Sequence, residues 1–340
     1  MTVRFVRPLA VLAATAALGA ALPAAADTPV KFSLDWKFEG PSAPFLLAKE
    51  KGYFADEGLE VTIDTGAGSV EPINRVASGA YDMGFGDINS VIKFNDQNPS
   101  TPLKSIYMVY DKPAFAIVGR KSLGVSAPKD LEGKKLGAPA PDGAYAQWPI
   151  FVEANGIDAS KVAIENVGFP VREPMLAAGQ VDAITGFSFS SFINLKANGV
   201  AVDDITVLLM ADYGVDLYGN TIIVSPAFAE SNPDAVKGFL RALNKGIKET
   251  IADPEAAIEY VVAANPIVDK ATELERLQMA IDQNIVTDAT RKDGLGAVDP
   301  ARLGSAIDQI GLTFEYADKP TADSAFDASF LPDAAERAVE

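Results

Sequence analysis

Ala77-Ser78-Gly79-Ala80-Tyr81-Asp82 and Ala177-Ala178-Gly179-Gln180-Val181-Asp182 share the pattern A-x-G-x-x-D, one hundred residues apart. Each copy follows a Glu-Pro pair (Glu71-Pro72, Glu173-Pro174) and precedes a short apolar run with a glycine, Gly84 or Gly186. Glycine at the third position suits a helix C-cap before a tight turn into a strand. Generic helix-stop chemistry could produce one such match. Equal spacing of the surrounding strands instead predicts two similar α/β lobes.

Working outward, β-rich runs alternate with helical patterns, the signature of parallel α/β units. The first set has strands at 30–34, 61–64, 83–85 and 105–110, with helices at 44–51, 71–78 and 88–95. The second has strands at 135–138, 162–166, 183–185 and 206–210, with helices at 144–154, 172–178 and 190–197. The run at 115–118 is expected either to return antiparallel or to cross to a new lobe, and 221–225 reads as a second crossover. The chain is expected to pass between lobes near 111–115 and again near 218–221, with 115–118 and 221–225 as hinge strands. Lobe 1 is thus expected over 27–113 and 221–340, and lobe 2 over 114–220. From 234 onward the pattern is helical, at 234–251, 254–263, 270–284 and 300–310.

Composition removes much chemistry. The 340 residues include no Cys and no His. That excludes disulfides, thiolate metal sites, Ser-His-Asp triads and imidazole-ligated zinc. A net charge of −17 argues against a nucleic-acid surface. The length suits about two domains, each able to bury a core.

The first 26 residues read as an export signal. Arg4 and Arg7 form a basic start, a run rich in Ala and Leu extends from Leu9 to Leu22, and Ala24-Ala25-Ala26 offers a cleavage site. A single-span anchor is the competing reading, but a bilayer core needs about 20 residues. Losing Arg4 and Arg7 shifts the net charge from −17 to −19. The expectation is an acidic periplasmic protein, cleaved after Ala26.

Ligands of open α/β sheets bind beyond the carboxyl ends of the strands. The loops there hold Asp35, Trp36, Lys37, Phe38 and Glu39, then Gly66, Gly68 and Ser69, then Asp87 and Asn89. In the second set they hold Asp142, Tyr145, Phe169, Arg172, Phe187 and Phe189. For any single Phe, core packing competes with a cleft role. Trp36 lies between two charged residues, the setting of a partly exposed ring that can stack on a ligand. Asp142 and Asp87 suit helix N-caps. Gly66-Ala67-Gly68-Ser69 lacks the rest of a dinucleotide fingerprint and the lysine of a phosphate loop.

At Asp35-Trp36, Ala48-Lys49-Glu50-Lys51-Gly52-Tyr53-Phe54, Glu57-Gly58-Leu59-Glu60-Val61 and Arg75-Val76-Ala77-Ser78-Gly79-Ala80-Tyr81-Asp82-Met83-Gly84, the chain resembles a known group. These are the periplasmic substrate-binding proteins of nitrate/sulfonate/taurine-type ABC importers, in the branch related to thiamine-pyrimidine synthase. The resemblance covers about 30–225. It implies a two-lobed type II periplasmic-binding-protein fold, α/β, each lobe a mostly parallel sheet flanked by helices. Where pyrimidine-handling members carry Asn and His after the Asp-Trp pair, this chain has Glu39 and Ser42. The synthases of the branch need His and a Cys-rich iron motif, and this chain has neither residue type.

The function so implied is a solute-binding component that closes two lobes on a small solute and delivers it to an ABC permease. The expected binding set is Asp35, Trp36, Phe38, Glu39, Ser42, Gly68, Ser69, Asp87, Asn89, Asp142, Tyr145, Phe169, Arg172 and Phe187. Abundant rings and few cleft cations favour a small aromatic or nitrogen heterocycle, with a thiamine-precursor pyrimidine as the candidate the resemblance suggests. Carriers of an alkanesulfonate or of an aromatic carboxylate clamped by Arg172 remain alternatives. So does an enzyme using pyridoxal phosphate on a Lys, or paired carboxylates such as Asp35 and Asp87. No cofactor or metal, no nucleic-acid partner and a monomeric state are expected.

Overall fold

The computed structural model describes residues 1–3 and 27–339; the expected signal segment falls almost wholly outside them. In chain order the first part comprises β1 (Thr28–Ser33), α1 (Ala43–Glu50), α2 (Tyr53–Asp56), β2 (Leu59–Asp64), α3 (Glu71–Ala77), β3 (Met83–Asp87), α4 (Ile88–Gln97) and β4 (Lys104–Met108). The second comprises β5 (Phe115–Arg120), β6 (Lys135–Gly137), α5 (Gly143–Ala146), α6 (Trp148–Asn155), β7 (Ala163–Glu165), α7 (Phe169–Ala177), β8 (Ala183–Phe187), α8 (Ser188–Ala197) and β9 (Ile205–Leu209). Then come β10 (Asn220–Val224), α9 (Pro226–Ser231), α10 (Pro233–Ala252), α11 (Pro254–Ala264), α12 (Lys270–Ala280), α13 (Asp288–Asp293) and α14 (Pro300–Ile310).

The strands form two five-stranded sheets, ordered β2-β1-β3-β10-β4 and β7-β6-β8-β5-β9. β1 pairs in parallel with β2 and β3, as β6 does with β7 and β8. β10 and β5 occupy the same place in the two sheets, each antiparallel to both neighbours. The repeated sequence pattern has the same job twice. Gly79 and Gly179 adopt φ of 74° and 69°, the left-handed region that Gly enters without Cβ strain. Asp82 Oδ2 accepts the backbone N–H of Lys31 at 2.8 Å, and Asp182 Oδ2 accepts that of Lys135 at 2.8 Å. Each Asp thereby ties one strand, at Lys31 within β1 or at Lys135 at the start of β6, to the turn that begins its parallel neighbour.

The runs at 115–118 and 221–225 are internal strands bonded on both sides within a sheet, the first antiparallel, as one of its two expected readings has it. Residues 109–114 and 210–219 connect the sheets, overlapping the expected crossings near 111–115 and 218–221. One expectation changes. The helix expected over 144–154 is broken at Gln147, because Pro149 in the first turn of α6 lacks an N–H and cannot continue the preceding turn.

α1, α10, α11 and α12 pack against the first sheet through Phe45, Phe239, Leu243, Ile258 and Leu277. α14 takes another position. Its Leu303, Ala306, Ile307 and Ile310 join the apolar cluster of Phe115, Trp148 and Phe151 from the second part of the chain. Among the described residues, no helix is long and apolar enough to cross a membrane.

Candidate functional site

The carboxyl ends of β1, β3 and β8 face one another across a narrow cavity between the sheets. β1 ends at Ser33, and the following turn sends Asp35 and Trp36 into this space. The turn is held by hydrogen bonds from Gly68 N–H to Asp35 O (2.8 Å) and from Gly66 N–H to Trp36 O (3.1 Å). From the other lobe, Phe169 meets the Trp36 ring edge-on, with centroids 4.7 Å apart. Phe45, Phe85, Tyr110, Phe187 and Phe189 line the interior as a connected series of rings, with neighbouring centroids 5.2–6.2 Å apart.

Closure brings backbone against backbone. A Cβ on Gly68, which has φ of 107°, would stand 2.5 Å from Pro141 O of the facing lobe. A Cβ on Gly143 would stand 2.2 Å from Ser69 Oγ. The first contact is with backbone that cannot give way, so Gly68 requires glycine in this arrangement, whereas the second is with a hydroxyl that can rotate aside.

The site's charges are unequal in their freedom. Asp35 accepts a hydrogen bond from Asn220 Nδ2 at 2.9 Å, yet burial raises its pKa to about 7. Glu39 is also raised, chiefly by burial, with partial relief from the Arg276 guanidinium. Arg172 is buried and already compensated. Its Nε and Nη2 donate to Glu173 Oε1 at 3.0 and 2.6 Å, and Nη1 lies 3.6 Å from Asp142 Oδ2. Burial opposes its charge, but the two carboxylates outweigh that and raise its pKa. Lys37 is exposed at the rim, its Nζ 5.2 Å from the Trp36 ring centre.

Among the buried polar atoms lining the cavity, Ser69 Oγ has no partner, while Trp36 Nε1 and Glu39 Oε2 are only loosely satisfied, by one another's side chains and by Arg276 Nε at 3.5 Å. Leaving a buried donor or acceptor unsatisfied costs about 1–3 kcal/mol. They present a donor, an acceptor and a hydroxyl able to serve as either, a pattern that a ring with adjacent N–H and ring-nitrogen groups can complete.

Of the expected binding residues, Asp35, Trp36, Glu39, Ser42, Gly68, Ser69, Asp142, Phe169, Arg172 and Phe187 line the cavity. Four lie elsewhere. Phe38 packs its ring on the first lobe's core, and Tyr145 on the second cluster. Asp87 caps α4 through Asn89 N–H and Ser90 N–H, both at 3.0 Å, and accepts Gln147 Nε2 at 2.9 Å. Asn89 donates to Asp87 Oδ1 and to Tyr218 O, each at 2.7 Å, which uses its amide to fix the return connection. Asp142 caps α5 through Ala144 N–H while its other oxygen accepts Thr185 Oγ1 at 2.7 Å. Leu34, Pro41, Phe45, Phe85, Tyr110 and Ser190 also line the cavity, outside the expected set. Tyr110 lies just past the end of β4, the position that would have flagged it, whereas Phe85 is the middle residue of β3.

Two lobes, each a sheet with one antiparallel strand, closed over an aromatic cleft at the strand carboxyl ends, define the periplasmic-binding-protein class of fold. Residues 40–257 match the family described as NMT1/THI5 like, and the chain belongs to that family. Relatives include the riboflavin-binding protein RibY of Chloroflexus aurantiacus, 26% identical over 76% of this chain and 73% of its own. The formylaminopyrimidine-binding protein of Halalkalibacterium halodurans is 29% identical over 68% of this chain and 69% of its own. A 4-amino-5-hydroxymethyl-2-methylpyrimidine phosphate synthase of Aspergillus parasiticus is 27% identical over 70% of this chain and 71% of its own. Among solved structures, the alkanesulfonate-binding protein SsuA of Xanthomonas axonopodis pv. citri, bound to MOPS, superposes with a TM-score of 0.68 at 14% identity, covering 89% of this chain and 99% of that one. SsuA of Escherichia coli gives 0.68 at 13% identity, with 92% of each chain covered. At such identities the likeness is one of fold.

Proposed function

We propose that this protein is the exported solute-binding component of an ABC importer, closing its lobes over a flat, neutral or weakly cationic nitrogen heterocycle. One observation carries the reading: the cleft arginine is neutralised by Glu173 and Asp142, while Asp35, Glu39 and a wall of rings face the cavity. A sulfonate, nitrate or aromatic carboxylate would meet two carboxylates and no uncommitted buried cation. A heterocycle with N–H groups meets acceptors and stacking surfaces instead. Relatives named for binding riboflavin and formylaminopyrimidine support the same class, and a thiamine-precursor pyrimidine is the specific candidate. The relative named as a synthase does not make this chain one, because fold is shared more widely than chemistry. A sequence without His or Cys cannot perform that reaction as the family does. The lobes divide at 113/114 and 220/221, the segment up to Ala26 is removed on export, and the monomer docks transiently on its permease.

The test is mass spectrometry of whatever solute is released on denaturing freshly purified protein, with titration calorimetry of formylaminopyrimidine, riboflavin and taurine. Recovery or tight binding of a heterocycle is expected. Recovery of taurine or another alkanesulfonate would overturn the ligand class. A stoichiometric internal aldimine on incubation with pyridoxal phosphate would overturn the binding-protein reading itself.

A further inference from the structure

Arg276 belongs to α12, whose Leu277 and Ala280 pack in the first lobe's core, yet its guanidinium reaches the second lobe. Nη1 donates to Ser190 O at 3.3 Å and Nη2 to Asn194 Oδ1 at 3.1 Å, both on α8. On its own side, Nε and Nη2 donate to Glu273 at 3.0 and 3.2 Å. Glu273 Oε2 also accepts Gly40 N–H at 2.7 Å. This fixes the loop that carries Glu39, so tightly that a Cβ on Gly40 would stand 2.3 Å from Glu273 O. Glu39 Oε2, at the cavity wall, lies 3.5 Å from Arg276 Nε. Beside this cluster, Lys196 of α8 pairs with Glu275 of α12 at 2.7 Å.

We propose that Arg276 is a positioning residue for closure, a latch joining the loop that presents Glu39 to helix α8 of the other lobe. Its chemistry suits a reversible latch. Opening removes the Ser190 and Asn194 acceptors but leaves the guanidinium paired with Glu273, so no buried charge is stranded. Closing restores two charge-assisted hydrogen bonds and brings Ser190 and Glu39 to the same cavity. A solute engaging Glu39 therefore meets the lobe arrangement that Arg276 stabilises. The inference rests on the solute-binding reading, but its decisive test needs no solute.

With no native Cys in the sequence, cysteines introduced at exposed Asp56 and Val202, one per lobe, take spin labels cleanly. Double electron–electron resonance on the full-length mature protein then reports the separation of the lobes. Arg276→Gln is expected to raise the open-to-closed ratio about tenfold and to lower the unfolding temperature, because the buried Glu273 loses its ion pair, whereas Arg276→Lys keeps the charge and should recover part of the closed population. Asn194→Ala, which touches only the lobe-2 acceptor, should shift the distribution the same way by less. It keeps the test decisive should Arg276→Gln fail to fold. Unshifted distributions in the variants that fold would overturn the latch. Failure of the parent protein to bind formylaminopyrimidine or riboflavin would count against the solute reading alone.

Discussion

Trp36 owes its role to its neighbours. It follows a buried strand, lies between Asp35 and Lys37, and meets Phe169 of the opposite lobe across the cavity. Trp36→Ala should weaken solute binding by about 1–3 kcal/mol with little change in unfolding temperature, since the ring packs on the cleft rather than in a core cluster. Calorimetric titration with formylaminopyrimidine beside a thermal scan checks both; intact affinity with lost stability would make it a structural ring. Asp35 gives a second test with a definite sign. Its carboxyl is raised from 3.8 to about 7 by burial, so between those values the folded state holds a proton that the unfolded chain has released. Asp35 therefore contributes stability below pH 4 that is lost as pH rises towards 7. The span corresponds to no more than about 4 kcal/mol. Asp35→Asn should flatten the decline in unfolding free energy between about pH 4 and 7. An unchanged slope by denaturant titration at several pH values would refute the assignment. Asp87 shows why acidic residues at strand ends were only partly legible from sequence. An N-cap and a ligand contact ask for the same residue in the same place, and only the cross-lobe bond from Gln147 shows Asp87 to be fully occupied.

The alternation of strands and helices was legible because each element carries its own stop, such as Gly79 and Gly179 with their left-handed backbones. What local pattern could not reveal is where β5 and β10 insert. Both are short apolar runs following a crossover, and only tertiary pairing makes each an internal antiparallel strand. The sheets are joined by the connections at 109–114 and 210–219, and α14 holds these together. Arg302 donates to the Asp111 carboxylate at 3.0 Å, to Asp111 O at 2.9 Å and to Leu217 O at 3.0 Å, while stacking 4.0 Å from the Tyr218 ring centre. One side chain thus ties the outgoing connection to the returning one. Sequence gave no hint of it, since its partners lie 85 and 191 residues away. Arg302→Ala leaves the buried Asp111 without its ion pair and should cost about 2–4 kcal/mol of unfolding free energy. Denaturant titration checks this, and a loss below about 0.5 kcal/mol would show that the connections hold without it.

At the scale of the whole molecule, glycines at the facing loops decide whether two halves can become one binding site. Gly68 and Gly143 stand where the lobes come closest, and a methyl group at either would overlap Pro141 O or Ser69 Oγ of the facing lobe. Gly143 is the cleaner position, because its φ does not lie in the left-handed region and another residue can take its place at the start of α5 without backbone strain. Rotation of the Ser69 hydroxyl can make room for a single methyl, so the probe is a larger side chain: Gly143→Leu should leave each lobe folded while holding the pair apart. If binding requires closure, affinity falls by the free energy needed to force the lobes together against that overlap. Inverting a 1:99 population takes about 5.5 kcal/mol, so a loss of even 2 kcal/mol, about thirtyfold in Kd, would shift the balance substantially. The unfolding temperature should move little, and the lobe separation read by the spin labels should lengthen. Thirtyfold weaker binding with lengthened separation is the outcome expected of a clamshell. Unchanged affinity would mean that the solute is held by one lobe alone, and the cross-cleft contact of Trp36 with Phe169 would then carry no binding energy.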